Sequence, residues 1–184
     1  MRIEHTKLAD CFIIHNTVFT DSRGFFFESF NEARFNTLTG LNIHFIQDNQ
    51  SFSSKGVLRG LHFQQGKYAQ AKLVRVISGH VLDVAVDIRI GSLTYGQHIA
   101  VELSAENNKQ IFIPRGFAHG FVVLSDHASF FYKCDNYYHK ESEAGLLYND
   151  ASLQIDWMLA EGQLHLSEKD LVNPVLKDIE GYLP

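Results

Sequence analysis

Residues that could do acid–base chemistry stand inside apolar, strand-like stretches of this chain. The run "VLRGLHFQ", residues 57–64, places Arg59 and His62 among the branched and aromatic residues typical of a β-strand. A regular strand sends residues three apart to opposite faces. Gly60 lies between them, and a glycine within a strand often marks a bulge. A bulge would turn both side chains into one pocket and make His62 a candidate base; the alternative is a hydrogen-bonded structural histidine.

Two more strand-like stretches carry a side chain that could handle protons. In "IPRGFAHGFVVLSD", His119 stands between two glycines, and it either packs beneath a tight corner or points into a pocket. In "ASFFYKCDNYY", Tyr132 alternates in phase with Phe130 and Cys134, so these three share one face. Tyr132 is then either a core tyrosine or a phenol that gives a proton to one face of a substrate.

Two polar clusters offer binding groups. The stretch "FIQDNQS" contains side chains that suit recognition of a base or a sugar but equally suit a turn: Gln47, Asp48, Asn49 and Gln50. Near the C-terminus, "LSEKDLVNP" predicts a capped helical turn. Its Lys169 and Asp170 are either surface charges or members of a site.

The motifs of several other chemistries are absent. The sequence lacks G-x-x-x-x-G-K-[ST], G-x-G-x-x-G, H-E-x-x-H and C-x-x-C. His62 is followed by Phe63 and Gln64, so its strand supplies no second metal ligand, and we predict a protein without a bound metal. The net charge of −5 predicts no nucleic-acid surface, although a local basic pocket could still take a phosphorylated small molecule.

The elements that must position these residues are mainly strands. Eight strand-like stretches follow at intervals of about ten residues, a rhythm typical of an all-β sandwich or barrel: "NIHFIQDNQSF", "VLRGLHFQ", "AKLVRVIS", "VLDVAVDIR", "QHIAVEL", "KQIFIP", "GFVVLS" and "ASFFYKC". Turn residues separate them, as in "IGSLTYG", "SAENN" and "PRGFAHG". Before them, "ESFNEARFNTLTG" predicts one short helix that stops at Gly40.

One strand pairing can be predicted in detail. The stretches "KLVRVIS" and "VLDVAVDIR" flank Gly79 and His80, a candidate type II′ hairpin turn. That hairpin would place Lys72, Asp83 and Asp87 on one face. The face either carries exposed ion pairs or lines a barrel mouth, and a slipped register would reverse every side chain.

Size and composition predict one domain. The chain has 184 residues, of which 45% are hydrophobic and 20% charged, which suits a globular domain with a proper core. It has no run of about 18 apolar residues and no signal-peptide layout, so we expect a cytoplasmic protein that does not enter a membrane. Cys11 and Cys134 lie far apart and are expected to be free thiols.

Six stretches, in order over residues 10–175, resemble the dTDP-4-dehydrorhamnose 3,5-epimerase family: "DSRGFFFESF", "FIQDNQS", "GVLRGLHFQ", "AKLVRVISGHVLDVAVDIRIGS", "IPRGFAHGF" and "LSEKD". The resemblance implies a single domain over residues 1–184. Its fold would be an all-β, cupin-type double-stranded β-helix (jelly roll) with its core at about residues 45–135 and short flanking helices. It also implies a homodimeric isomerase that needs no metal or other cofactor.

The implied reaction is the epimerisation of dTDP-4-dehydro-6-deoxy-D-glucose at C3 and C5, which gives dTDP-4-dehydro-L-rhamnose for bacterial deoxysugar and polysaccharide biosynthesis. By the same resemblance, His62 would be the base, Asp170 the carboxylate that orients it and Tyr132 the acid. Lys72 would stabilise the enolate, and Asp83 is a candidate supporting residue. Substrate contacts would come from Arg23, Glu28, Gln47, Asp48, Asn49, Arg59, His119, Glu143 and Lys169. The N-terminal stretch with the first two of these would serve the partner subunit's site.

This chemistry accounts for polar residues in an apolar strand. Removing a proton beside a ketone leaves negative charge on its oxygen, and a lysine ammonium stabilises that charge strongly in a dry pocket. An imidazole with a pKa of about 6.5 suits the base, and arginines suit a diphosphate. Two alternatives stay open: an enzyme that acts on C3 alone or as a 3,4-ketoisomerase on the same nucleotide sugar, and a sugar-binding jelly roll without catalysis.

Overall fold

The chain is built almost entirely from antiparallel strands. The computed structural model describes residues 1–179. Its strands and helix, in chain order, are β1 (Arg2–His5), β2 (Phe12–His15), β3 (Phe19–Asp21), β4 (Gly24–Phe26), α1 (Glu32–Thr39), β5 (Gln47–Ser54), β6 (Leu58–Gln64), β7 (Lys72–Ser78), β8 (His80–Asp87), β9 (His98–Ser104), β10 (Lys109–Ile113), β11 (Phe117–Val123), β12 (His127–Cys134) and β13 (Glu143–Gly145). Short 3₁₀ turns occupy Gly66–Tyr68, Lys140–Ser142, Glu161–Gln163, Asp170–Val172 and Leu176–Asp178.

Two sheets pack face to face. The first sheet has the order β1-β2-β10-β7-β12-β5, and the second has the order β13-β6-β11-β8-β9. Strands β3 and β4 form a separate two-stranded hairpin. The two-sheet arrangement is that of a cupin-type jelly roll, so the all-β prediction is confirmed.

The core between the sheets follows from the period of two along each strand. Val74 and Val76 of β7 pack in the same buried cluster as Val81 and Ala85 of β8. The alternation predicted for "ASFFYKC" also holds, since Phe130 is buried in this cluster and Tyr132 packs against it. Side chains of β7, β8 and β12 therefore meet in the space between the two sheets.

The outer face of each sheet is covered by a different part of the chain. Helix α1, capped by the Asn31 side chain and ended by Gly40, lays Phe35 on Phe112 of the first sheet with 5.5 Å between ring centroids. The short helix expected before the strands is therefore confirmed. The C-terminal segment covers the second sheet with residues such as Trp157, so both sheets are buried on two sides over much of their area.

The predicted hairpin at Gly79 and His80 is wrong. Strand β7 pairs with β10 and β12, whereas β8 pairs with β9 and β11, so the chain passes from one sheet to the other at this point. Gly79 has a φ of +81°, and a Cβ there would lie 2.0 Å from the carbonyl oxygen of His127. A glycine is needed because the turn passes directly over that backbone.

Of the alternatives left open for this face, exposed ion pairs are excluded. Asp83 and Asp87 are fully buried. Asp87 accepts hydrogen bonds from Arg89, Ser92 and Thr94, and within the described residues it forms no ion pair with Lys72. The residues predicted to share a face do so although β7 and β8 are not paired. The alternate residues of both strands that are in phase with Lys72 and Asp83 point into the space between the two sheets.

Local patterns misplaced other strand boundaries. The stretch "PRGFAHG" was expected to be a turn, but β11 begins at Phe117, so His119 lies within a strand. Strands β1 and β2 were not expected and extend the first sheet beside β10. Cys11 and Cys134 are buried and unpaired, as predicted. No helix within residues 1–179 has the length and apolar content needed to cross a bilayer.

Candidate active site

A cavity of about 730 Å³ lies between the two sheets. Strands of both sheets line it, and residues between His165 and Asp170 of the C-terminal segment line one side. Many of the side chains that the sequence singled out meet in this cavity: Asn49, Gln50, Arg59, His62, Lys72, His119, Tyr132, Glu143, Lys169 and Asp170. Its volume suits a ligand of the size of a small cofactor or nucleotide sugar.

A bulge in β6 brings Arg59 and His62 to this cavity. His119 of β11 pairs with His62 of β6, and Phe121 of β11 pairs with Arg59 of β6. Between these two pairs, β6 therefore contains one residue more than β11. Gly60 is within the irregular part, with a φ of +134°. The bulge expected at this glycine is confirmed. Because of the bulge, Arg59 and His62 face the same cavity, although a regular strand would direct them to opposite faces.

The carboxylate of Asp170 binds the imidazole of His62. The His62 Nε2 and Asp170 Oδ1 atoms are 2.5 Å apart, although 108 positions separate the residues. The C-terminal segment reaches this place by running parallel to the start of β6: the Leu58 amide donates to the His165 carbonyl, and the His165 amide donates to the Gly56 carbonyl. The predicted turn is present as the 3₁₀ turn Asp170–Val172, but its N-cap residue Lys169 forms no side-chain cap hydrogen bond. The Ser167 hydroxyl oxygen accepts the Asp170 amide just before the turn.

Asp170 is charged in spite of its burial. Burial by itself raises the pKa of this carboxyl. Hydrogen bonds from His62, Ser167 and the backbone amide of Gly60 outweigh it, so the net pKa lies below the ordinary value. The Nε2 nitrogen of His62 is occupied by this carboxylate, and Nδ1 remains as the nitrogen that can take a proton.

Lys72 and Tyr132 face the histidine from the other sheet. Lys72 begins β7 and Tyr132 lies on the adjacent β12, and the lysine Nζ is 5.8 Å from the tyrosine ring centroid. Burial raises the pKa of Tyr132 to about 12, with a further contribution from the nearby Cys134 thiol. Tyr132 is therefore a protonated phenol at neutral pH, which is the form that can donate a proton.

His119 lies deeper and is tied to a second carboxylate. Its Nε2 is 2.9 Å from Oδ2 of Asp83, and both side chains are buried. Burial lowers the pKa of His119, although Asp83 opposes the effect. The two interpretations left open for His119 are therefore both partly met: it packs beneath the site and its ring lines the cavity.

Glu143, which lines the cavity, is bound both by Lys169 and by Tyr138, a residue outside the predicted site set. Lys169 Nζ lies 2.6 Å from Glu143 Oε1, and the Tyr138 hydroxyl donates to Glu143 Oε2. The Tyr138 amide also donates to the side-chain oxygen of Gln47. The "NYY" that follows β12 is an available signal, since exposed aromatic residues after a site-lining strand suit ligand contact.

The polar cluster at the start of β5 divides between two faces. Asn49 lines the cavity, and its Oδ1 atom accepts a hydrogen bond from Gln47 Nε2 at 3.1 Å. Asp48 points to the opposite face, where it pairs with Lys133 at 2.9 Å. The division is not strict, because Gln50 alternates in phase with Asp48 and still contributes to the cavity lining.

Arg23 and Glu28 lie outside the cavity that contains His62. Arg23 sits on the β3–β4 hairpin, pairs with Asp21 at 2.6 Å and has 88% of its side chain exposed. Glu28 pairs with Arg34 at 3.0 Å. Within one chain, therefore, these two residues are not brought to the other candidates.

The cavity floor is aromatic. Phe121 and Phe130 come from opposite sheets and stack with 3.8 Å between ring centroids, and both line the cavity. The sequence pattern indicates Phe130 only as a strand residue, and Phe121 is not among the predicted site residues. Such a floor keeps water from the polar groups above it, which strengthens their electrostatic interactions. Within residues 1–179, no cluster of three or more His, Cys, Asp or Glu side chains is arranged to hold a metal ion.

Comparison with known proteins agrees with this geometry. Residues 5–178 match the sequence profile of the family described as dTDP-4-dehydrorhamnose 3,5-epimerase. The Escherichia coli (strain K12) protein of that name is 54% identical over 170 residues, which cover 92% of this chain and 91% of the relative.

Solved structures lead to the same family. The dTDP-4-dehydrorhamnose 3,5-epimerase of Elizabethkingia anophelis superposes with a TM-score of 0.94 at 58% identity, over 99% of both chains. The dTDP-6-deoxy-D-glucose-3,5-epimerase of Legionella pneumophila, solved in complex with dTDP-4-keto-L-rhamnose, gives a TM-score of 0.93 at 51% identity, over 97% of this chain and 94% of that one. On this evidence the chain belongs to the dTDP-4-dehydrorhamnose 3,5-epimerase family of carbohydrate epimerases.

Proposed function

We propose that this chain epimerises dTDP-4-dehydro-6-deoxy-D-glucose at C3 and C5 to dTDP-4-dehydro-L-rhamnose. The observation that carries the proposal is the division of acid–base groups across one cavity. The His62–Asp170 pair stands on the side of the second sheet, and Lys72 and Tyr132 stand on the side of the first. Inversion at carbon needs a base and an acid on opposite faces of the sugar, and this arrangement supplies them.

The first step is removal of a proton from a carbon beside the C4 ketone. The Nδ1 atom of His62 takes the proton, and the Asp170 carboxylate on Nε2 stabilises the imidazolium that forms. The electrons of the broken C–H bond move to the ketone oxygen and give an enolate. The Lys72 ammonium donates to that oxygen, where its charge acts strongly because the cavity floor is apolar.

The second step returns a proton to the opposite face. The Tyr132 phenol donates it, the enolate collapses to the ketone, and the carbon is left inverted. Proton exchange with water then restores the imidazole of His62 and the phenol of Tyr132, so the reaction is an isomerisation with no net gain or loss of atoms. Both C3 and C5 adjoin the ketone, so the same groups can treat each carbon in turn.

The nucleotide part of the substrate is proposed to lie toward the cavity mouth. Arg59 lines the cavity and donates to the Ser53 hydroxyl at 3.2 Å, which leaves its guanidinium edge for a diphosphate. Asn49 and the Glu143–Lys169 pair offer polar groups to the base and the sugar.

A second copy of the chain is proposed to complete the site. The β3–β4 hairpin exposes Phe19, Phe25 and Phe26 at 63%, 62% and 70%, and Arg23 stands at its tip. Three exposed phenylalanines on one small hairpin suit an interface with another chain. In a homodimer of this kind, Arg23 and Glu28 would reach the partner's cavity, which explains their distance from His62 in their own chain.

The reaction is tested by incubating the protein with the 4-keto nucleotide sugar in D₂O. We expect NMR to detect deuterium at both C3 and C5 and formation of the L-rhamno product. Label at C3 alone would identify a 3-epimerase, and migration of the keto group to C3 would identify a ketoisomerase. Binding without any label would support a sugar-binding jelly roll.

A further inference from the structure

The proposed mechanism leaves one buried carboxylate behind the cavity-lining His119 unused. Asp83 lies on β8 in register with Phe121 of β11, and it is fully buried. Its Oδ2 atom accepts the hydrogen bond from His119. Its Oδ1 atom is buried and has no hydrogen-bond partner among the described residues. Buried carboxylate oxygens are costly unless a donor or a nearby positive charge compensates them, so this atom calls for a physical reason.

The direction of Asp83 follows from the strand. Val81 and Ala85, two positions to either side, pack in the core between the sheets, whereas Leu82 and Val84 face the C-terminal segment. Asp83 alternates in phase with Val81 and Ala85, so its side chain also points between the sheets. Lys72 enters the same space from the opposite sheet.

Lys72 is a cation without a bonded partner. Its side chain forms neither an ion pair nor a hydrogen bond to any residue in the described range, and burial lowers its pKa. An ammonium in such a place tends to lose its proton, and a neutral amine cannot stabilise an enolate as an ammonium does. Something must hold the proton on Lys72 while leaving its N–H groups free for the substrate.

The side chains around Lys72 show which group could keep it protonated. Charged and titratable side chains face it from five strands: Tyr132 and Cys134 on β12, Asp83 on β8, His119 on β11, Glu143 on β13, and Arg59 and His62 on β6. Two of these are carboxylates. Glu143 is already matched by the Lys169 ammonium at 2.6 Å. Among the described residues, the Asp83 carboxyl has a hydrogen bond only to His119. Burial lowers the pKa of His119, so its imidazole is neutral and supplies no counter-charge to Asp83.

We propose that Asp83 is a positioning residue whose carboxylate, held in place by His119, is the buried counter-charge that keeps Lys72 an ammonium directed at the substrate oxygen. Because Asp83 forms neither an ion pair nor a hydrogen bond with Lys72 within the described residues, the N–H groups of the lysine remain available to the enolate. The inference rests on the proposed role of Lys72 in the epimerase reaction.

The test is an NMR titration of Lys72 in ligand-free protein labelled with ¹⁵N-lysine, with the signal assigned by its loss in Lys72→Met. In the unsubstituted protein, Lys72 should be an ammonium at pH 7.5. In Asp83→Asn, the midpoint should fall by about one pH unit or more, because the amide keeps the shape and removes the charge. The alkaline limb of the pH profile of kcat should fall by the same amount, while the acid limb should stay in place.

A buried carboxylate on the same strand gives the matched control. Asp87→Asn removes a charge that Arg89 already compensates, so the Lys72 midpoint should not move. If Asp83→Asn does not fold, Asp83→Ser makes the same comparison, and the titration of the unsubstituted protein stands by itself. A neutral Lys72 at pH 7.5, or a midpoint unchanged by loss of the Asp83 charge, overturns the inference. The titration uses no substrate, so it decides the role of Asp83 even if the protein has no epimerase activity.

Discussion

Arg59 and His62 face one cavity because β6 contains one residue more than β11 between the His119–His62 and Phe121–Arg59 pairs. The backbones come very close at this bulge: a Cβ on Gly60 would lie 2.5 Å from the Gly120 Cα and 2.9 Å from the His119 carbonyl oxygen. The combination of a diphosphate-binding cation and a base in one pocket thus depends on a position that admits only hydrogen as a side chain.

Gly60→Ala should therefore destabilise the fold and reduce turnover. Overpacking against two backbone groups and a strained φ together should lower the free energy of unfolding by about 2 to 4 kcal/mol, as measured by urea denaturation. The control is Gly162→Ala, where a Cβ would meet nothing within 4 Å; its effect should stay within about 0.5 kcal/mol. Equal effects of the two changes would show that the close approach at Gly60 does not matter.

Asp170→Asn should lower kcat by roughly 10²- to 10⁴-fold with a smaller effect on KM, because the amide cannot stabilise the His62 imidazolium. The substitution should also change the response to acid. The pKa of Asp170 in the folded protein lies below its ordinary value of about 3.9, so its charge stabilises the fold above that pH. This contribution is lost as the pH falls through the folded pKa.

Urea unfolding at pH 6 and at pH 3 measures the effect. The deficit of Asp170→Asn relative to the unsubstituted protein should be clear at pH 6 and should shrink at pH 3. Asp48→Asn is the control, because Asp48 forms an exposed pair with Lys133 and should contribute about 1 kcal/mol or less. A deficit that is the same at both pH values would contradict a charged Asp170 in the folded state.

Tyr132→Phe should separate proton exchange from inversion. The change removes one oxygen and keeps the ring packed against the core. His62 and Lys72 can still form and hold the enolate, so substrate protons should continue to wash into D₂O by removal and return on the same face. Net inversion should fall by about 10²- to 10⁴-fold, the usual cost of a lost general acid.

Exchange and inversion should be timed in one tube by NMR, with Tyr95→Phe, outside the cavity, as the control. If exchange and inversion fall by the same factor, Tyr132 is not the acid of the opposite face. If neither falls, Tyr132 is a structural tyrosine.

Arg23→Ala and His62→Ala should complement each other when their chains are mixed. In a mixed dimer, one cavity would combine an intact His62 with the partner's intact Arg23, and the other cavity would have both defects. After joint unfolding and refolding, about a quarter of all sites should be active. His62→Ala mixed with Asp170→Asn is the control, since both residues line the cavity of their own chain and no site would be repaired. Absence of recovery in the first mixture would place Arg23 in its own chain's site or outside any site.

Much of the local structure could be predicted because its causes are local. Helix α1 is bounded by an Asn31 cap and by Gly40 in a left-handed conformation, and both signals are adjacent in sequence to the helix that they end. The shared face of Phe130, Tyr132 and Cys134 needed only the period of two along one strand. The bulge at Gly60 also had a local sign, because glycine interrupts an otherwise apolar run.

Strand partners and the meeting of distant groups were decided by the tertiary structure. Gly79 signals a turn, but a turn residue does not specify whether the next strand pairs beside the last one or crosses to the opposite sheet; the packing of two whole sheets chose the crossing. His62 and Asp170 meet over 108 positions because the C-terminal segment runs beside β6, which no local pattern encodes. The sequence alone could therefore supply the residue types and their faces, while the distances between acid, base and counter-charge arise only when the two sheets close around a common cavity.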